Sequence, residues 1–422
     1  MTDPRQTNGA SEAESDPFED FNRAQGQGEV VNPYPKFAEW RSQAPVLKVS
    51  FADMLGRDQD LPGELPDVYA VVTHNAVSEV LRDGARFSSS GYALQMGPVM
   101  GKTILQMDEP EHSRYRSLIQ QAFSRKAIEN WNRDLIKPVI DGLVDRFVER
   151  GKADLVRELT FPFPVAVIAG MIGIPEADQS NFHRWAVELI SVGFDPQRGL
   201  AASRKLGDYF AGLLAQRRQK PENDLMSVLA AAELDDGTRL EDDEIFAFLR
   251  LLAPAGAETT YRSSSNLLRG LLGAPEQLEA VRKDRSLLPQ AIEEGLRWEC
   301  PLLSIMRTAT CDTEVGGVKL PAGAFMNVNM GSANHDETRY ENPDVFDIFR
   351  PQRQHMAFAF GPHRCLGMHL ARAETVTLLN TLLDRLPGLR LDPDLADSRE
   401  AQITGLIFRS PAALPVCFDG AA

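Results

Sequence analysis

Cysteine is scarce. The 422 residues hold four, Cys300, Cys311, Cys365 and Cys417, widely separated. So sparse a set rules out a disulfide framework, and with no C-x-x-C or spaced histidine pair a zinc site is not expected either. Positive charge is also short: 45 Lys and Arg stand against 60 Asp and Glu, a net charge of −15. Nucleic acid and anionic membrane surfaces repel such a chain. No apolar run reaches the roughly 18–20 residues that span a bilayer. The N-terminus, Met1 to Glu29, is polar and acidic and lacks the basic and apolar regions of a signal peptide. A cytoplasmic protein with no membrane span is therefore expected. Internal repeats and interdomain linkers are missing too.

What is present is ordinary globular material, 43% hydrophobic and 25% charged, enough to bury a sizeable core. Residues 1–30 read as an acidic, disordered segment, and residues 31–422 as a single domain. Trp40 falls on a short helix, Val68–Val72 reads as a strand and Asn75–Asp83 as a helix. Phe87–Gln106, with its serines, glycines and proline, reads as a long loop. Helical spacing dominates from Pro110 to about Gly273, including a run from Glu241 to Leu272 interrupted in pattern by Pro254 and Gly256. Gly316-Gly317, Pro321 and Gly323 punctuate β-hairpins. A last helix runs from about Leu366 to Leu386 and stops at Pro387-Gly388. The fold class is mainly α with a small β region (α+β).

The densest chemistry lies in Phe358-Ala359-Phe360-Gly361-Pro362-His363-Arg364-Cys365-Leu366-Gly367. Gly361 and Pro362 make a tight turn, and Cys365 sits at the start of the final helix. Unpaired N–H groups there stabilise a thiolate. Gly367 lets a flat ligand lie close to the backbone. The residues alone leave a buried structural cysteine equally open. Three further stretches carry paired functional groups. Glu294 and Arg297 share a helix face, a spacing also usual for surface pairs. Ala255-Gly256-Ala257-Glu258-Thr259-Thr260 puts poor helix formers in mid-helix, beside Pro254, which should kink it; a packing kink would explain the same residues. His112 and Arg116 stand four apart and face the same way, as they would on any solvated helix face.

Together these stretches resemble the cytochrome P450 family. The decapeptide is similar to its haem-binding loop, F-G-x-G-x-H-x-C-x-G, at five of six fixed positions: Phe358, Gly361, His363, Cys365 and Gly367. Ala359 replaces a glycine. The motifs follow the family's order from residue 68 to the Phe408-Arg409-Ser410-Pro411 tail, about nine-tenths of the chain. The resemblance implies haem b (iron protoporphyrin IX), bound without covalent attachment between the long central helix and the cysteine-loop helix, with Cys365 as iron ligand. It implies propionate contacts from His112, Arg116, Arg307 and His363. It places a dioxygen groove at Ala255 and Gly256, with Thr259 beside the oxygen and Glu258 relaying protons. Glu294, Arg297 and Arg350 become a buried network holding the cysteine loop. By family position Leu94, Met96, Val99, Leu251, Leu302, Ile305 and Ile407 line the substrate pocket, an apolar set suited to a terpenoid, steroid, fatty acyl chain or aromatic.

The implied reaction inserts one atom of O2 into that substrate. Electrons come from a separate donor, by analogy a ferredoxin with its reductase, docking near Arg364, Arg125 and Lys126. A monomer is expected. A peroxide-driven peroxygenase on the same fold, or a non-catalytic haem sensor, are the alternatives.

Overall fold

A computed structural model describes residues 17–24, 26–28, 32–54, 67–191 and 195–419. Eleven helices position the site: α1 (Pro17–Ala24), α2 (Tyr34–Gln43), α3 (His74–Arg82), α4 (Tyr92–Met100), α5 (Glu111–Gln120), α6 (Pro162–Ile172), α7 (Glu176–Ile190), α8 (Pro196–Gln219), α9 (Asp242–Gly273), α10 (Leu288–Trp298) and α11 (Met368–Arg385). The main sheet has five strands, β1 (Val46–Val49), β2 (Val68–Val71), β3 (Phe87–Ser88), β4 (Ser304–Ala309) and β5 (Phe325–Asn329), in the order β1-β2-β5-β4-β3. Only the β2–β5 pair is parallel, with Val68 opposite Phe325. Ser304 of β4 faces Asn329 of β5 across an antiparallel pair. Thr313–Val315 and Val318–Leu320 form the expected hairpin, and Gly316 and Gly317 at its turn both have positive φ.

The central helix α9 is the axis of the molecule. A capping box between Glu241 and Glu244 starts it. It stays continuous to Gly273 in spite of Pro254, and α6, α7, α8 and α10 all pack against it. Leu249, Tyr261, Leu267 and Leu271 on its faces are buried in the largest apolar cluster.

Two expectations fail. The stretch taken as a loop holds β3 and the helix α4; Gly97 and Pro98 lie within that helix, and Gly101 at φ +81° ends it. Pro98 has no N–H to give the Leu94 carbonyl, and both residues are exposed, so water can take that carbonyl. The N-terminal segment, expected to be disordered, forms α1 over Pro17–Ala24, which packs on α7. Beyond it the Gly28 N–H donates to Thr404 Oγ1 at 2.9 Å. Val31, where order was expected to begin, lies outside the described residues.

Candidate active site

The cysteine loop closes on itself. The Cys365 N–H donates to the Phe358 carbonyl at 2.9 Å and the Ala359 N–H to the Met356 carbonyl at 2.8 Å. Gly361 has φ +71°, and a Cβ there would collide with the Leu81 carbonyl at the end of α3, so only glycine allows the approach. Ala359, at φ +53°, occupies the left-handed region that glycine prefers. Cys365 is exposed, yet burial pushes its thiol up. Both are true of a side chain that faces an interior space. Against burial act the N–H groups of Gly367 and Met368 at the start of α11, and the charges of Arg116 and Arg372. Beyond its chain neighbours, nothing lies within 4 Å of the place a Gly367 Cβ would take, so the space two residues from the sulfur is open.

Basic groups converge on that space. The rings of His112 (α5) and His363 lie 4.1 Å apart. His112 Nδ1 meets Glu109 Oε1 at 3.1 Å, while its Nε2 is buried without a hydrogen-bond partner. Arg307 of β4 is 5% exposed. Burial holds both Arg116 and Arg307 below their ordinary range. Burial, then Arg307, His112 and Arg116, lower His363 to about 3. Among the described residues no carboxylate pairs with Arg116 or Arg307. Arg307 is buried and Arg116 half-buried, and Asp108 acts on Arg307 from beyond salt-bridge distance; cations so placed and not directly paired are costly, and an anionic ligand would supply the charge they lack. An open space between a cysteine and this cluster fits a flat, two-carboxylate group such as haem, with Cys365 as the residue able to bind its iron.

On α9 the functional pair is split. Thr259 Oγ1 donates to the Ala255 carbonyl at 2.8 Å, and Ala255 is exposed in mid-helix while Ala253 and Pro254 beside it are buried. Glu258, 6% exposed, turns away and accepts from Arg262 Nε at 2.9 Å. Gly256 does not open a groove through its missing side chain: a Cβ there would lie 2.6 Å from Ile168 of α6, so this glycine serves helix packing. Pro254, Ala257 and Glu258 instead line, with Phe161, Val187 and others, a cavity of ≈ 20 Å³, room for about one water. Thr260 Oγ1 donates to Glu374 Oε2 at 3.4 Å, tying α9 to the helix that follows Cys365. Burial raises the Glu374 carboxyl to about 8. No sequence motif marked Glu374.

The apolar set divides. The Leu303 N–H donates to the Ile407 carbonyl at 2.8 Å and Leu302 bridges to Phe408, so Leu302, Ile305 and Ile407 come together, all partly buried. Met96, Val99 and Leu251 belong to the main core or pack against it. Leu94 is 87% exposed; α4 turns it to solvent, and the expectation that it lines an enclosed pocket is corrected.

Glu294 receives both Arg297 Nε and Nη2 at 2.8 Å, and Arg350 Nε at 3.4 Å. The two arginines then donate to the carbonyls of Asn334, Pro343, Val345 and Asn342. The network therefore ties down residues 334–347 rather than the cysteine loop itself. The direct tie comes from its neighbour Glu293, which accepts from Arg372 Nε and Nη2 of α11 at 2.6 and 2.7 Å and meets His355 Nε2 at 3.2 Å. Glu293 carried no sequence signal, since Arg372 and His355 lie far along the chain; Arg262 stands one helical turn from Glu258, but its other partners, Asn22 and Ser410, are distant.

Comparison with known proteins agrees. The family model for cytochrome P450 matches residues 201–390. A steroid C26-monooxygenase of Mycobacterium tuberculosis is 37% identical over 77% of this chain and 88% of that protein. The nocardicin C N-oxygenase of Nocardia uniformis is 36% identical over 93% of this chain and 97% of its own length. The crystal structure of CYP109E1 from Bacillus megaterium in complex with testosterone superposes with TM-score 0.80 at 31% identity, covering 92% of this chain and 99% of that one.

Proposed function

The chain belongs to the cytochrome P450 family, a haem-thiolate monooxygenase, and from that premise we propose that it oxygenates a lipophilic small molecule at the space between Cys365 and α9. One observation carries the reading: an open interior beside Cys365, ringed by His112, Arg116, Arg307 and His363, with His112 Nε2 unpartnered. When bound, haem supplies the activation of dioxygen. The protein's own groups do the rest. Cys365 ligates the iron, and its charge is supported by the N–H groups of Gly367 and Met368. The basic cluster holds the propionates through charge-assisted hydrogen bonds.

Thr259 holds a proton donor at the open face of α9, with its own hydroxyl hydrogen satisfied by Ala255. Glu258 carries protons inward from the water-sized cavity it lines. Leu302, Ile305 and Ile407 offer substrate an apolar wall, which disfavours charged substrates. The steroid named for one of the two relatives is consistent with a bulky apolar substrate. Electrons come from a ferredoxin-type donor docking at Arg364; Arg125 is less free for that role, since Glu129 pairs with it at 2.8 Å.

The test is coupled turnover with a ferredoxin, its reductase and a panel of steroids, terpenoids and fatty acids. Substrate-stimulated NADPH consumption with oxygenated product is expected. Thr259→Ala should divert reducing equivalents to peroxide, and Glu258→Gln should slow turnover. Coupled turnover at the wild-type rate in both variants would overturn these roles. An Arg364→Glu variant that accepts electrons at the wild-type rate would remove the docking assignment.

A further inference from the structure

Arg262 is 1% exposed and its guanidinium is divided among three segments far apart in sequence. Nε donates to Glu258 Oε2 at 2.9 Å, Nη1 to Ser410 Oγ at 3.0 Å and Nη2 to Asn22 Oδ1 at 2.5 Å. Its Cζ lies over the rings of Tyr261 and Phe408, 4.9 and 5.4 Å from their centroids. Asn22 belongs to α1 and is 4% exposed, so α1 reaches this cluster through a buried side chain. The same helix is held from the other side by Asp20, which Arg198 Nη1 of α8 reaches at 3.4 Å.

We propose that α1 is a latch on proton delivery, with Asn22 and Arg262 as positioning residues for Glu258. With the latch closed, Arg262 keeps the Glu258 carboxylate turned from Thr259, beside a cavity that holds about one water. Relay needs the carboxylate to swing: it takes a proton from a cavity water that is itself reprotonated from solvent, delivers it on the Thr259 side and returns as carboxylate. Glu258 and Thr259 are adjacent on α9, so only side-chain rotation is required once Arg262 loosens. Lifting α1 removes the Asn22 bond and frees one end of the guanidinium. Arg262 couples the latch to the site, because it bonds Asn22 of α1 and Glu258 of α9 at once. The inference rests on Glu258 being the proton relay.

The experiment uses the full-length holoenzyme with Asn22→Leu, which removes the acceptor at similar volume, and Arg198→Gln, which loosens α1 without touching Arg262. Hydrogen–deuterium exchange of residues 252–262 should accelerate by about tenfold in Asn22→Leu, the factor one hydrogen bond to a charged group is worth, and less in Arg198→Gln. The solvent deuterium isotope effect on single-turnover oxygenation should fall in the same order, with the carbon monoxide spectrum unchanged. Wild-type exchange and isotope effect in Asn22→Leu would overturn the latch. If instead Glu258→Gln leaves the isotope effect at the wild-type value, the relay role itself fails, whatever the exchange data say.

Discussion

Ala359 holds φ at +53° in the turn that presents Cys365, a conformation that costs an L-residue on the order of 1 kcal/mol. Ala359→Gly should therefore raise the urea midpoint slightly, by up to about 1 kcal/mol of stability; a lower midpoint would mean the loop tolerates alanine without strain. The basic cluster predicts a larger effect. Arg116 and Arg307 have no carboxylate partner among the described residues, so Arg116→Gln with Arg307→Gln should leave a folded protein that loses haem to apomyoglobin markedly faster. Equal haem transfer rates would place the propionates elsewhere.

Glu374 predicts a pH dependence. Its folded value is raised to about 8 by burial, so the folded state keeps a proton that the unfolded chain gives up near 4.5. That contribution is complete below the unfolded value and is lost as pH rises toward 8, at about 1.4 kcal/mol per unit. Urea unfolding at pH 5 and pH 8 should show wild type losing ground to Glu374→Gln as pH rises; parallel curves would mean the carboxyl is solvated.

At the level of the element, the contrast is between what a window of ten residues contains and what it does not. The cysteine loop, the Glu294–Arg297 pair and the Thr259 segment were legible because their groups are close in sequence and their spacing carries the geometry. Helix α4 was not legible, since Gly91, Gly97, Pro98 and Gly101 carry the composition of a loop, and the helix rests on Val99 and Met100 being buried. Gly256 was legible as a departure from helix propensity, but the reason is its contact with Ile168. Gly256→Ala should cost about 1–3 kcal/mol by overpacking α6 against α9, read as a lowered melting temperature. No loss of stability would mean that Ile168 simply rotates away.

Across the whole molecule, the missing information is long-range pairing. Arg262 reaches Asn22 across 240 residues and Ser410 across 148; Arg409 reaches Glu299 across 110 at 3.0 Å. These bonds tie Asn22 and Ser410 to α9 and Arg409 to the end of α10, and none leaves a local pattern. An acidic, polar N-terminus read as disordered because composition describes whether a segment can fold alone, and α1 folds against α7. The outline of the domain survives such gaps because helix periodicity and the motif order fix which elements meet around the cysteine loop. What they meet around is the central claim, and one spectrum decides it most directly. The protein, reduced with dithionite and exposed to carbon monoxide, should show the strongly red-shifted Soret band of thiolate-ligated haem, lost in Cys365→Ala. An unshifted band in the wild type, or a red-shifted band that survives in Cys365→Ala, would contradict Cys365 as the iron ligand.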